Sequence, residues 1–254
     1  MCIIIAKTKG RAFNIEELEQ SVDKAKIHNC HGSGYAIKRE GDTKIKLVKG
    51  FVYSSILIEH LISEKIQEND EIMIHLRFST SGIINTANCH PFIISNNIKE
   101  IILDEIETDK PVISHNGTFT GYVKKDSIYS DTVHYIQEFL AAENVLDSIY
   151  KLYDVDMDFV DSALGNNRLC VIFPDDRDMM LLGMWNVPEK EKGEKTNFYY
   201  SNYYYCNPNN GYVKPHANTK FWNQGTTVNR STFIQNRAFI YPHINEDDEW
   251  SYYE

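Results

Sequence analysis

A chain of 254 residues, 42% hydrophobic and 24% charged, has an ordinary globular composition and the length to bury a sizeable core without disulfides. Its formal net charge of -10 argues against nucleic acid or an anionic membrane as the main partner. No stretch reaches the ~20 apolar residues of a membrane span, and the five cysteines, Cys2, Cys30, Cys89, Cys170 and Cys206, have no framework spacing, so they read as reduced thiols of a cytosolic protein.

The first element is the run Ile3-Ile4-Ile5-Ala6, a short buried strand, too short for a signal peptide and with no basic region before it. Asn14 to Lys26 reads as a helix capped by Asn14, with Glu16 and Glu17 in the first turn, where acidic side chains suit the helix dipole. Gly32 and Gly34 mark a tight turn into a strand. They do not make a dinucleotide fingerprint, because Ile37 stands where the next glycine belongs and a helix precedes them. Lys44 to Val48 alternates as a strand. Ser54 to Gln67 is predicted to be an amphipathic helix with Ile58, Leu61, Ile62 and Ile66 at helical spacing, and Glu71 to Phe78 a strand. A polar loop follows, and a strand restarts at Pro91-Phe92. Ile98 to Leu103 and Pro111 to Ser114 are predicted strands, with Asp104 to Lys110 an acidic turn between them. Ser130 or Asp131 caps a helix running to about Ala142, and Val145 to Leu164 is further helix. Arg168 to Phe173 and Met179 to Met184 form a hairpin around Pro174. Glu189 to Lys195 is a charged loop, and Asn197 to Tyr205 a Tyr-rich strand. From Cys206 on the chain is Asn-, Pro- and Tyr-rich with an acidic end and shows little periodicity.

The chemistry concentrates at Cys2. A small residue after an initiator methionine favours removal of Met1, which leaves a thiol and a free α-amine on one residue. That amine, with an ordinary pKa of roughly 8, acts as a base near neutral pH, and a nucleophile activated by the N-terminal amine is an established arrangement. Four further motifs follow in order: His75-x-Arg77-x-x-Thr80-x-Gly82, Asn88-x-His90-Pro91-Phe92, His115-Asn116-Gly117 and Ser130-Asp131-Thr132. Each has a plainer reading. Arg77 is a strand-end charge for a surface carboxylate, Asn116-Gly117 a hairpin turn, Asp131 a helix cap, and the histidines hydrogen-bonded core residues. His28, Cys30, His31, Cys89 and His90 lack the standard zinc spacings. Asp154-x-Asp156-x-Asp158 has Phe159 and Gly165 where a calcium loop needs Gly and Glu.

Taken together and in this order, the motifs resemble the class II glutamine amidotransferases, whose glutaminase domain is an N-terminal-nucleophile hydrolase. The Gly32-Ser33-Gly34 turn and the late Tyr199-Tyr200-Ser201-Asn202 stretch are similar to that family as well, so the likeness covers roughly residues 2 to 205, with 206 to 254 a C-terminal extension. The chain departs from the family at His31-Gly32-Ser33, where many members carry an arginine, and at Ser81-Gly82, where many carry His-Gly. The resemblance implies an α+β fold, a four-layer αββα sandwich of two antiparallel sheets between helices. It implies hydrolysis of L-glutamine to glutamate and ammonia through a thioester on Cys2, with no cofactor and no metal. Asn116 and Gly117 would form the oxyanion site, Arg77 would hold the substrate carboxylate and Asp131 its ammonium, and Thr80 and His90 would wall the pocket, with His75 and His115 as supports. No synthetase domain is recognisable, so the ammonia is expected to pass to a separate synthetase or amidating subunit. Another N-terminal-cysteine amidase, acting on a different γ-glutamyl or acyl amide, shares Cys2 and the oxyanion pair. A catalytically idle binding protein is the third reading, motivated by the dense tyrosines Tyr199, Tyr200, Tyr203, Tyr204, Tyr205 and Tyr212, which serve either an interface or the chain's own domain.

Overall fold

The computed structural model describes residues 1–188 and 196–206; the predicted loop from Glu189 to Lys195, and the extension beyond Cys206 with Tyr212, lie outside the described residues. The fold is α+β. Strands β1 (Ile3–Lys7), β2 (Ser33–Lys38), β3 (Ile45–Phe51), β4 (Glu71–Leu76), β6 (Glu105–Thr108) and β10 (Tyr199–Tyr200) form one antiparallel sheet in the order β10-β1-β4-β2-β3-β6. Strands β5 (Phe92–Ile93), β7 (Val112–Asn116), β8 (Arg168–Ile172) and β9 (Met180–Leu182) form a second, in the order β5-β7-β8-β9.

Three apolar clusters join these pieces. Ile3 and Ile5 of β1, with Tyr35, Ile72 and Ile74, pack against Leu18 and Val22 of α1 (Ile15–Ala25) and Leu57 and Leu61 of α2 (Ser54–Ser63). The opposite face of the same sheet, with Ile4, Ala36, Leu47 and Met73, meets Ile93, Val112, Cys170 and Ile172 of the second sheet. Phe92, Ile113 and Val171 on the far side of the second sheet pack against Val133 of α4 (Asp131–Tyr135), Leu146 of α5 (Val145–Val155) and Val160 of α6 (Met157–Leu164). Both faces of β1 are therefore covered, which is why its sequence is a continuous apolar run rather than an alternation. Burying one such aliphatic side chain is worth ~1.5–3 kcal/mol, so the central strands carry much of the cohesion between the layers. No helix among the described residues is long and apolar enough to cross a membrane.

Side-chain caps mark the starts of α1, α3 (Ile98–Ile101), α4 and α6. Asn14 Oδ1 accepts from the Glu17 N–H at 3.0 Å, and Ser130, rather than Asp131, caps α4 through the Val133 N–H at 3.4 Å. Such caps contribute about 1 kcal/mol each. Beyond α4 the helical path to Leu140 widens into π geometry.

Several expectations are corrected. Ile98 to Leu103 is not a strand: Ile98–Ile101 is the short helix α3, capped by Asn97, whose Oδ1 accepts from the Lys99 N–H. With Lys99 and Glu100 between Ile98 and Ile101 the six residues carry no strand alternation, and the Asn97 cap decides. Nor is Asp104 to Lys110 a turn, since Glu105–Thr108 pairs with β3 as the edge strand β6. Its glutamates lie on the exposed side of the sheet edge, a placement that discourages pairing with another chain. Helix α2 ends at Ser63; Lys65 has φ 51°, and Ile62 is exposed rather than part of the apolar face. The stretch from Val145 to Leu164 is two helices, broken at Asp156, which caps α6 through the Phe159 N–H at 3.0 Å. Of Asn197 to Tyr205 only Tyr199–Tyr200 is strand.

Candidate active site

Cys2 extends β1, and its thiol sits between the two polar groups of the Phe78 backbone: the Phe78 N–H donates to Sγ at 3.3 Å, and Sγ lies 3.4 Å from the Phe78 carbonyl. The chain start is tethered on both sides. Asn29 Nδ2 donates to the Met1 carbonyl at 2.7 Å and Asn202 Nδ2 to the Cys2 carbonyl at 2.6 Å. Burial pushes the thiol pKa up, partly offset by the Phe78 N–H, by Arg77 and by the N-terminus, while Asp131 acts in the raising direction. Burial also lowers the pKa of the Met1 amine, with the Cys2 charge opposing.

Arg77 and Asp131 are brought together by Ser81. The buried Arg77 guanidinium donates to the Ser81 carbonyl at 3.1 Å, to Ser79 Oγ at 3.1 Å and to the Ile83 carbonyl at 3.0 Å. Asp131 donates its backbone N–H to Ser81 Oγ at 3.2 Å, and its carboxylate accepts from the Phe119 N–H at 2.7 Å. A guanidinium has five N–H donors, so further donors remain for an incoming anion. The loop carrying these serines is docked. Ile83 N–H donates to the Ile128 carbonyl at 3.0 Å, and Gly82, at φ 70°, lies so close to the Tyr129–Ser130 backbone that a Cβ would collide with it. Buried Asn88 completes the join, donating to the Ile83 and Ile128 carbonyls and accepting from the Ser130 N–H at 2.8 Å. His31 supports the same loop from the other side, its Nδ1 accepting from the Ser79 N–H at 2.8 Å.

Asn116 reaches this centre from the second sheet. Its Nδ2 donates to Ser201 Oγ at 2.9 Å, and the same Oγ accepts from the Ile4 N–H at 2.8 Å, two residues from Cys2. Gly117 is required sterically, since a Cβ there would collide with Asn167 Oδ1 and lie 2.8 Å from His115 Nε2. His115 is clamped between Thr132 Oγ1 at 2.8 Å and Asn167 Oδ1 at 2.9 Å, and its carbonyl lies 3.2 Å from His75 Nε2. His75 and His115 thus fasten the two sheets to each other beside Cys2.

The remaining expected wall residues are not in this group. Thr80 is exposed on the loop. His90 is buried between the sheets, its ring 4.2 Å from that of His75 and 4.4 Å from that of Phe92, and neither ring nitrogen has a hydrogen-bond partner among the described residues. A cavity of about 770 Å³ opens beside this centre, touching Met1, Asn116, Ser201 and Asn202 and reaching Thr8 and Met179. Sequence reasoning missed Asn29, Asn167 and the buried Lys49, whose Nζ donates to the Ile101 carbonyl at 3.2 Å over the Phe92 ring and whose pKa burial lowers to about 7. No local pattern distinguishes these residues, because their partners are distant in the chain. Among the described residues no set of His, Cys, Asp and Glu is arranged to hold a metal ion. Three tyrosines of residues 199–205 pack on their own domain, Tyr200 OH lying 2.9 Å from Ser21 Oγ, Tyr205 stacking on Tyr200 and Tyr204 lying against His28, whereas Tyr203 is exposed.

Burial lowers the pKa of His75 to about 3, that of His90 well below the usual range, and that of His115 as well. Each folded-state value lies below the unfolded one near 6.5. The unfolded chain therefore binds more protons below about pH 6.5, and stability held above that pH is lost as pH falls, by up to ~1.4 kcal/mol per pH unit for each such histidine. His90→Phe preserves the ring stack, and His90 has no hydrogen bond to lose among the described residues. Denaturant midpoints from pH 7 to 4 should fall less steeply in this variant; an unchanged slope would remove His90 from the acid response.

No family model matches this chain, and no curated protein matches it.

Proposed function

We propose that the protein is a glutaminase of the class II amidotransferase type, hydrolysing L-glutamine to glutamate and ammonia. The observation that carries this reading is the grouping of four of the sequence-predicted residues, Cys2, Arg77, Asn116 and Asp131. Cys2 lies within electrostatic reach of both Arg77 and Asp131, which share Ser81, and Asn116 is held to the strand of Cys2 through Ser201. The helix-covered faces of both sheets agree with an αββα sandwich of the N-terminal-nucleophile hydrolase kind.

On this reading Met1 is removed and the Cys2 amine takes the thiol proton, directly or through a water. The thiolate adds to the side-chain carbonyl of glutamine, and Asn116 Nδ2 with the Gly117 N–H stabilises the oxyanion. The amine returns the proton to departing ammonia; water then cleaves the thioester to release glutamate. Arg77 supplies further N–H donors for the substrate carboxylate, and Asp131 the counter-charge for its ammonium. Incubation with 6-diazo-5-oxo-norleucine should add one adduct to the intact mass, absent in Cys2→Ala; labelling that persists in the variant would refute the assignment.

The ammonia passes to a separate synthetase or amidating partner, which restrains wasteful hydrolysis. Turnover by the isolated chain should accordingly fall well below the usual enzyme median of roughly 10 s⁻¹. The partner would act by favouring the substrate-binding arrangement of the loop from Ser79 to Ala87. Steady-state ammonia release at the median rate with glutamine alone would sink the partner requirement.

A further inference from the structure

A single peptide unit stands between the Cys2 thiol and His31. In the Phe78–Ser79 peptide the carbonyl lies 3.4 Å from Cys2 Sγ, and the N–H donates to His31 Nδ1 at 2.8 Å. The two groups of a trans peptide point in opposite directions, so the sulfur faces one side of this unit and His31 the other. The imidazole is itself fixed. It is buried and stacks on the Phe78 ring, 5.3 Å between centroids. Its backbone N–H donates to the Arg77 carbonyl at 3.0 Å, and the Arg77 N–H donates to the Gly32 carbonyl at 2.8 Å, continuing the join of β2 and β4 beyond Ser33 and Leu76.

The orientation of this peptide bears on the charge state of the sulfur. A carbonyl accepts from S–H but repels a thiolate, so the observed arrangement favours the protonated thiol. An N–H in the same place would favour the thiolate, adding to the Phe78 N–H that already donates to Sγ at 3.3 Å. His31 Nδ1 accepts, which makes the ring neutral with its proton on Nε2. Without that acceptor the Ser79 N–H needs another partner, and the sulfur lies across the same peptide.

We propose that His31 is a positioning residue that restrains the nucleophile: it holds the Phe78–Ser79 peptide with the carbonyl on the Cys2 thiol, and its release lets the peptide turn so that the Ser79 N–H meets the sulfur. This rests on the reading of Cys2 as the nucleophile, and it supplies a cause for the low turnover expected of the isolated chain. On release the thiol proton passes to the Cys2 amine, and the thiolate is left with two backbone N–H donors. Ser79 Oγ also accepts from Arg77 at 3.1 Å. A partner that shifts the loop at Ser79 therefore moves the surroundings of the thiol and the clamp for the substrate carboxylate together.

The test is the pH dependence of iodoacetamide alkylation on the full chain, followed on the Cys2 peptide by mass spectrometry; Cys2 is only partly buried, so the reagent reaches it. His31→Phe keeps the ring stack and removes the acceptor, whereas His31→Asn places Oδ1 where Nδ1 stands. His31→Phe should lower the alkylation midpoint by about one pH unit. That is a tenfold rise in thiolate below the midpoint, of which the lower nucleophilicity takes back about threefold, so alkylation at pH 7 should run about threefold faster than in wild type. His31→Asn should keep the wild-type midpoint. A His31→Phe midpoint equal to or above that of wild type, or a His31→Asn midpoint lowered as far as that of His31→Phe, overturns the inference. Thermal melts show whether His31→Phe is folded; where it is not, His31→Ala is read in its place. Labelling by 6-diazo-5-oxo-norleucine is followed in parallel. An adduct on Cys2 with unshifted midpoints leaves the glutaminase standing without this restraint. Absence of the adduct overturns the glutaminase, while the midpoints still decide whether His31 controls the sulfur.

Discussion

Protein that keeps Met1 should release ammonia from glutamine roughly 100- to 10,000-fold more slowly than protein beginning at Cys2, the range over which a positioned general base acts. With Met1 in place the nitrogen of Cys2 is a peptide amide and accepts no proton. The thiol cannot compensate, because burial raises its pKa and leaves it protonated at neutral pH. The Met1 amine does not substitute either. It is displaced by a residue from the thiol, and the Met1 and Cys2 carbonyls are fixed by Asn29 and Asn202. Two preparations decide the matter: a fusion cleaved to begin at Cys2, and the same chain with Met1 retained, their N-termini verified by mass. Equal ammonia release from the two would eliminate the free amine as the base.

Asn116→Ala should lower kcat by ~100- to 1,000-fold, the usual cost of one oxyanion donor, with little change in folding stability. An amide NH₂ carries two donors, and Ser201 Oγ engages one, leaving the other for a developing oxyanion. Truncation loses the Ser201 hydrogen bond, worth about 0.5–1.5 kcal/mol, but also deletes a buried Oδ1 that is unpaired among the described residues. The two effects oppose each other, so the stability change is expected to stay near zero. Ser201→Ala separates positioning from catalysis. It releases Asn116 from β1 without removing the donor, and its kcat should fall less than that of Asn116→Ala. Equal losses would mean that Asn116 acts through its link to Ser201 rather than on the substrate. A large loss of stability in Asn116→Ala with kcat preserved would return Asn116 to a purely structural role.

By itself the sequence determined the features whose causes are local. The apolar run of β1, the Asn14 cap, the helix starting at Ser130 and the hairpin around Pro174 are each specified by neighbouring side chains, and each stands as read. The histidines at 75 and 115 are held by hydrogen bonds where the two sheets meet. Tertiary structure alone decided the exchange between α3 and β6. Glu105–Thr108 is a strand only because β3 offers an edge some sixty positions earlier in the chain, an origin that no local pattern records. The same holds for the joints of the candidate site. Ile4 and Ser201 meet across a separation of 197 residues, Met1 and Asn29 across 28, and Asn88 and Ser130 across 42. Hydrogen-bonding side chains such as these are common throughout the sequence. Only packing of the two sheets fixes which of them is buried, and burial is what makes their partners obligatory.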